Sequence, residues 1–178
     1  MNPKPVRLVI TKLEAARRQI DTAIALWFDD GDPISINTLA AAGHHICNDL
    51  SHNLKIAGEI MFPKTNTLPK PQQKDKRALW MLENFSKHAD KPPDNKPDSA
   101  INFCPELTEI YLLDATNIFK RIAGESTHLM KAFRLYFYWF NPTLAKPPCV
   151  PSKLYPVDLR LITKRQFLES FLESFKGT

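Results

Sequence analysis

The chain has 178 residues and a net charge of +5, and its 43% hydrophobic and 24% charged residues are typical of a soluble globular protein with one domain. No stretch approaches the roughly 18 consecutive apolar residues of a transmembrane helix, and no apolar run follows the N-terminal basic residues, so we expect neither a membrane span nor a secretory signal. Three cysteines without paired spacing argue against a disulfide framework or a zinc ribbon and favour a cytoplasmic location.

The N-terminal third is predicted to form two long helices joined by a tight turn. Thr11 and Glu14 have the spacing of a capping box, which opens the first helix. Asp32 is the expected N-cap of the second helix, with Pro33 at its first position. Apolar residues recur at helical spacing in both segments, at Leu13, Ala16, Ile20, Ala23, Ile24 and Trp27, and at Ile36, Leu39, Gly43, Ile46, Leu50, Leu54, Ala57 and Met61.

The segment between residues 64 and 96 carries eight Lys and Arg residues against four Asp and Glu residues. This local basic excess could contact phosphates, or it could simply keep a connecting segment solvated. Prolines on either side bound a predicted third helix from Gln72 to Ala89.

The second half predicts a short extended piece at residues 100–104 and a helix from Pro105 to about Ala123, which Gly124 caps. Ser126 or Thr127 is the expected N-cap of a further helix that ends at Phe140. A proline-rich strap at 142–162 then leads to an amphipathic helix at 163–176, which could dock on the other helices or form a dimer contact. The predicted fold is therefore all-α: one domain over residues 1–178, an antiparallel helical bundle of about five to six helices with proline-rich loops and at most one short strand.

Three polar residues at the end of the predicted third helix form the first candidate catalytic site. Asn84, Lys87 and His88 lie three and four residues apart and therefore share one helix face. His88 could act as a general base, Lys87 could stabilise an anion and Asn84 could orient a phosphate or ribose. The structural alternative is that Lys87 and His88 only complement the helix dipole.

The hairpin with Gly31-Asp32 at its turn, followed by the alanine-rich run Leu39-Ala40-Ala41-Ala42-Gly43, resembles the opening of HEPN domains. The resemblance implies a compact α-helical bundle of the kind found in RNA-cleaving toxins, defence proteins and their non-catalytic partners. It also implies a site made of an Arg, a polar residue and a downstream His, of which Asn84 and His88 match the last two. Glu83 stands at the Arg position and would repel a phosphate, so the resemblance implies a degenerate binding member.

Arg121 and His128 satisfy the loosest form of the same spacing, on either side of the Gly124 turn. His128 would lie in the first turn of a helix, where the helix dipole keeps the imidazole neutral and basic. Chance spacing is the structural alternative.

A third constellation, His45, Asp49 and His52, places two imidazoles and a carboxylate along one line of the second helix. Together with a ligand from another helix, this trio could hold a divalent transition metal. Polar residues at the edge of the core are the alternative, and we expect no cofactor. No cysteine has a protease-like signature.

These patterns leave three functional hypotheses. The first is a HEPN-like module of the RNA-associated or toxin–antitoxin type, with RNA or a protein as partner and a homodimer as its assembly. The second is a non-enzymatic interaction or scaffold protein. The third is a small metal-dependent hydrolase built on the second helix.

Overall fold

The computed structural model describes residues 7–56, 81–85, 100–144 and 157–176. Five α-helices lie in these ranges: α1 (Lys12–Phe28), α2 (Pro33–Asn53), α3 (Pro105–Ala123), α4 (His128–Phe140) and α5 (Lys164–Glu173). Residues 81–85 are also helical, and short 3₁₀ turns cover Pro142–Leu144 and Leu159–Leu161. No strand occurs within the described ranges, so the all-α prediction is confirmed and the short extended piece at 100–104 is not a strand.

Local chemistry fixes most of the helix ends. The Asp32 carboxylate accepts from Ser35 N–H at 2.7 Å with Pro33 in the first turn, and Gly124 ends α3 in the left-handed conformation at φ 79°. Thr163 and Gln166 form a complete capping box at the start of α5. At α1 only half of the predicted box forms, because Thr11 accepts from Glu14 N–H while the Glu14 carboxylate binds Arg17 and Arg18.

Helix α2 packs extensively against both α1 and α3. Its contact with α1 depends on a small residue: a Cβ added at Gly43 would lie 2.6 Å from Ile20 Cγ1. Helix α4 packs on α1 and α3, and α5 packs on α4 and α1. One apolar core draws side chains from all five helices, including Ile20, Ile118 and Phe133.

The buried face of α2 differs from the predicted stripe. Leu54 is exposed, whereas the polar residues Asn37, His44 and Asn48 are buried. Leu54 is exposed because α2 ends at Asn53, whereas burial of Asn37 and His44 is possible because α3 supplies their polar partners. Ala57 and Met61 lie outside the described residues.

Helix α5 docks on the bundle through its apolar face. Phe167 is fully buried, stacks on Phe28 with ring centroids 5.9 Å apart, and meets Tyr136 edge-on at 5.2 Å. Burial of a phenylalanine side chain contributes roughly 1.5–3 kcal/mol, which is enough to hold a short helix against its neighbours. Of the two predicted roles of the C-terminal helix, the structure therefore shows docking on the other helices.

Candidate functional site

A buried histidine–carboxylate pair links α2 to α3. His44 Nε2 lies 2.9 Å from Asp114 Oδ2, and both side chains are almost inaccessible to solvent. The His44 ring also stacks on Tyr111, with centroids 4.5 Å apart. Because a buried polar group needs a hydrogen-bond partner, this pair fixes the register between the two helices rather than facing a substrate.

The neighbouring histidine faces outward and contacts a different carboxylate. His45 has a side chain that is 46% exposed, and its Nε2 lies 3.1 Å from Glu83 Oε2 and 3.4 Å from the Tyr111 hydroxyl. Glu83 is buried, with a side chain 7% exposed. Burial raises the pKa of Tyr111, and the carboxylates of Glu83 and Asp114 add to the rise, so the phenol keeps its proton at neutral pH. We call His45, Glu83 and Tyr111 the His45 cluster.

A carboxylate that fixes one nitrogen of an exposed imidazole is an arrangement used both for proton transfer and for metal ligation. Asp49 and His52 lie exposed further along α2, on the line that their spacing predicts. Within the described parts of the chain, however, no group of three or more His, Cys, Asp or Glu side chains is placed to hold a metal ion. The metal prediction for His45, Asp49 and His52 thus gains no support from this part of the structure.

The first predicted catalytic set is described only in part. Asn84 is half-buried in the helical segment 81–85, directly after Glu83. Lys87 and His88 lie outside the described residues, so their role stays a prediction. What the structure adds is the orientation of Glu83, whose carboxylate turns toward α2 and His45.

The second predicted pair falls at a helix–turn–helix corner. Arg121 is half-buried in the last turn of α3, and His128 is the exposed first residue of α4. The His128 ring stacks on Phe175, with centroids 4.4 Å apart and an interplanar angle of 18°. This contact gives His128 a packing role against the residues that follow α5, and its catalytic role stays a prediction.

A further polar group, which no sequence pattern indicated, lies at the end of α1. The Trp27 indole N–H donates to Glu109 Oε1 at 3.0 Å, and the Lys164 ammonium lies 4.1 Å from the centroid of the Trp27 ring. Lys164 also lies 3.0 Å from Asp30 Oδ1. These contacts join residues 82 to 137 positions apart, so no local spacing could have revealed them.

Two adjoining cavities open at this point and share Trp27, Glu109 and Lys164 as lining residues. One has a volume of about 260 Å³ and extends toward Asp30, Pro33 and Pro105. The other has a volume of about 170 Å³ and extends toward Tyr136, Phe140 and Asn141. Desolvation by burial raises the pKa of Glu109, although Trp27 and Lys164 oppose the shift. We call the two cavities together the Trp27 pocket; its lining includes Trp27, Glu109, Tyr136, Phe140, Asn141 and Lys164.

None of the described helices is long and apolar enough to cross a membrane. Comparison with known proteins adds no assignment: no family model, no curated protein and no solved structure matches this chain. The functional argument therefore depends on the chemistry of the His45 cluster, the Trp27 pocket and the charge pattern of the chain.

Proposed function

We propose that the chain is a catalytically degenerate, HEPN-like helical module that associates with RNA, as a toxin–antitoxin or defence-type component. The all-α bundle and its N-terminal hairpin are compatible with that resemblance. The single observation that carries the proposal is the environment of Glu83.

Glu83 stands where the resemblance expects an arginine that grips a phosphate. A carboxylate repels phosphate, and this one is buried and lies 3.1 Å from His45 Nε2. Its contacts make it part of the packing between segment 81–85 and α2. At this position the chain therefore has a carboxylate in place of the cation that the resemblance expects, which favours binding without cleavage.

The charge pattern supports RNA as the partner. The eight Lys and Arg residues between positions 64 and 96 account for most of the excess positive charge of the chain. Basic residues that neutralise phosphates give affinity that falls as the salt concentration rises, since binding releases condensed counterions.

A salt series with labelled single-stranded RNA and the purified full chain tests this proposal. We expect binding whose affinity declines steeply between low and physiological salt, with the RNA intact after prolonged incubation. Binding that is absent or insensitive to salt would overturn the RNA association. Cleavage by the wild type that disappears in either the His88→Ala or the His128→Ala variant would overturn the degenerate assignment. Cleavage that persists in both variants and is lost on further purification comes from a contaminating nuclease.

A second candidate function, protein–protein interaction, is favoured by one specific feature. Leu8, Val9 and Ile10 are three consecutive exposed apolar residues before α1. Exposed apolar clusters are typical of interaction sites. If a second copy of the chain covers this segment, the molar mass in solution should be that of a dimer, and the Leu8→Ser, Val9→Ser double variant should be monomeric. A wild-type protein that is strictly monomeric and retains no partner from a lysate would contradict this candidate.

A further inference from the structure

The Trp27 pocket brings together three kinds of group that are seldom adjacent by accident. It contains a carboxylate on α3, aromatic rings on α1 and α4, and an ammonium on α5. Four helices therefore contribute to one concave site, as is common for small-ligand sites between the helices of a bundle.

The carboxylate of Glu109 has unused capacity to accept hydrogen bonds. In the part of the chain that the structure describes, the Trp27 indole N–H is its one hydrogen-bond donor, 3.0 Å from Oε1. A carboxylate offers about four acceptor positions on two oxygens. Because Glu109 is partly removed from water and lines both cavities, a ligand with N–H donors would satisfy it.

The aromatic wall beside Glu109 leaves ring surface accessible. Tyr136 and Phe140 lie one helical turn apart on α4 with centroids 4.9 Å apart, and Phe140 is 44% exposed. Lys164 covers the Trp27 ring and the Tyr136 ring packs against other aromatic rings, so Phe140 is the surface on which a planar ligand can stack.

Two ion pairs lie at the rim of the pocket. Lys164 and its neighbour Arg165 open α5 and pair with Asp30 and Asp29 at 3.0 Å and 2.7 Å. Asp29, Asp30 and Arg165 are more than half exposed, and such surface ion pairs contribute little stability. A phosphate can therefore compete for either cation with a small energetic cost.

We infer that the Trp27 pocket binds one unpaired guanine nucleotide, with the base edge on Glu109, the base plane against Phe140, and the phosphate near Lys164. This inference rests on the proposed RNA association and names the feature of RNA that the chain reads. Unpaired bases are commonly bound by proteins in this way, through stacking on aromatic rings and hydrogen bonds to the Watson–Crick edge.

Guanine fits Glu109 better than the other three bases. Its Watson–Crick edge presents two adjacent donors, the ring N1–H and the exocyclic amino group, to one carboxylate. Adenine and cytosine each present a donor beside an acceptor on that edge, and the uracil N3–H lies between two acceptors. An acceptor facing an ionised carboxylate is repelled, so selectivity for guanine follows from the charge of Glu109.

Titration of the full-length protein with GMP, AMP, CMP and UMP tests the inference, with the Trp27 indole N–H resonance and calorimetry as readouts. We expect GMP to bind at least roughly tenfold more tightly than the other nucleotides. GMP should also shift the Trp27 indole N–H resonance, which is assigned by its absence from the Trp27→Phe variant. Glu109→Gln should weaken GMP binding by at least roughly tenfold, because the amide replaces one acceptor oxygen by an NH2 group, which as a donor cannot pair with a guanine donor. Glu106→Gln, the matched change almost one turn earlier on the exposed surface of α3, should bind GMP as the wild type does.

Equal affinity for all four nucleotides, no GMP binding, or an unchanged affinity in Glu109→Gln would each overturn the inference. Agmatine binding without nucleotide binding would also overturn it and would mark the pocket as a site for cationic groups. The RNA salt series separates this inference from the proposed function. If labelled RNA binds and GMP does not, the guanine inference is wrong and the proposed function stands. If neither binds, both fail.

Discussion

Replacing Gly43 by alanine tests how closely α2 approaches α1. The new Cβ would lie 2.6 Å from Ile20 Cγ1 and 3.3 Å from the Ala16 carbonyl oxygen. Ile20 is fully buried in the core, so its side chain has no solvent-filled space into which it can move. Alanine gains roughly 1 kcal/mol over glycine in helix propensity, but overpacking a dense core costs roughly 1–3 kcal/mol. The difference between these two effects is a net destabilisation of about 0–2 kcal/mol.

A double-mutant cycle with Ile20→Ala isolates the clash. Ile20→Ala alone should cost roughly 2–5 kcal/mol, because it leaves a cavity in the core. It also removes the atom that the methyl group added at position 43 would meet, so in this background Gly43→Ala should become stabilising. The assay is urea denaturation followed by circular dichroism, with the midpoint and slope compared among the four proteins.

The sign reversal is the decisive result. A Gly43→Ala substitution that stabilises the wild type would show that α1 and α2 lie further apart than described. Equal destabilisation in both backgrounds would show that the cost has a source other than Ile20. Either result would refute the packing argument.

Three further predictions concern single residues. Asp114→Ala should lower the free energy of unfolding by roughly 1–3 kcal/mol in urea denaturation, because buried His44 loses its 2.9 Å partner; an unchanged midpoint would contradict the pair's structural role. Thr163→Ala should lower the free energy of unfolding by roughly 1 kcal/mol, because α5 loses its N-cap. Thr38→Ala, on the partly exposed surface of α2, should lower it by less in the same assay, and equal losses would argue against the cap. Burial raises the pKa of the Cys47 thiol to about 12, so iodoacetamide at pH 8 should modify Cys47 only after unfolding, as peptide mass spectrometry would show; rapid labelling of the native protein would contradict its burial.

Local chemistry made most helix ends predictable. Asp32, Gly124 and Thr163 act at the positions that their residue types favour, and each needs only neighbours in sequence. The same local reasoning did not predict which residues of α2 are buried. Apolar periodicity assigns Leu54 to the core and does not predict burial of His44, which Asp114, 70 residues away, makes favourable.

The candidate site shows the same division. Spacing along α2 predicts that His45, Asp49 and His52 lie along one line of the helix, but it could not reveal that Glu83 lies against His45. Nor could it reveal the Trp27 pocket, because Trp27, Glu109 and Lys164 come from three distant helices. Long-range contacts of this kind depend on how the helices pack, which the sequence pattern does not specify.

Two matched variants test the central proposal, RNA association through the basic segment. One replaces Lys70, Lys74, Lys76 and Arg77 by glutamine, and the other removes the same number of charges from exposed positions elsewhere, at Lys12, Lys120, Lys131 and Lys176. The measurement is the slope of log affinity for single-stranded RNA against log salt concentration. In the first variant the magnitude of this slope should fall by about 0.7 for each phosphate contact removed, whereas the second variant should keep the wild-type slope. Equal losses in both variants, or a wild-type slope near zero, would contradict the account.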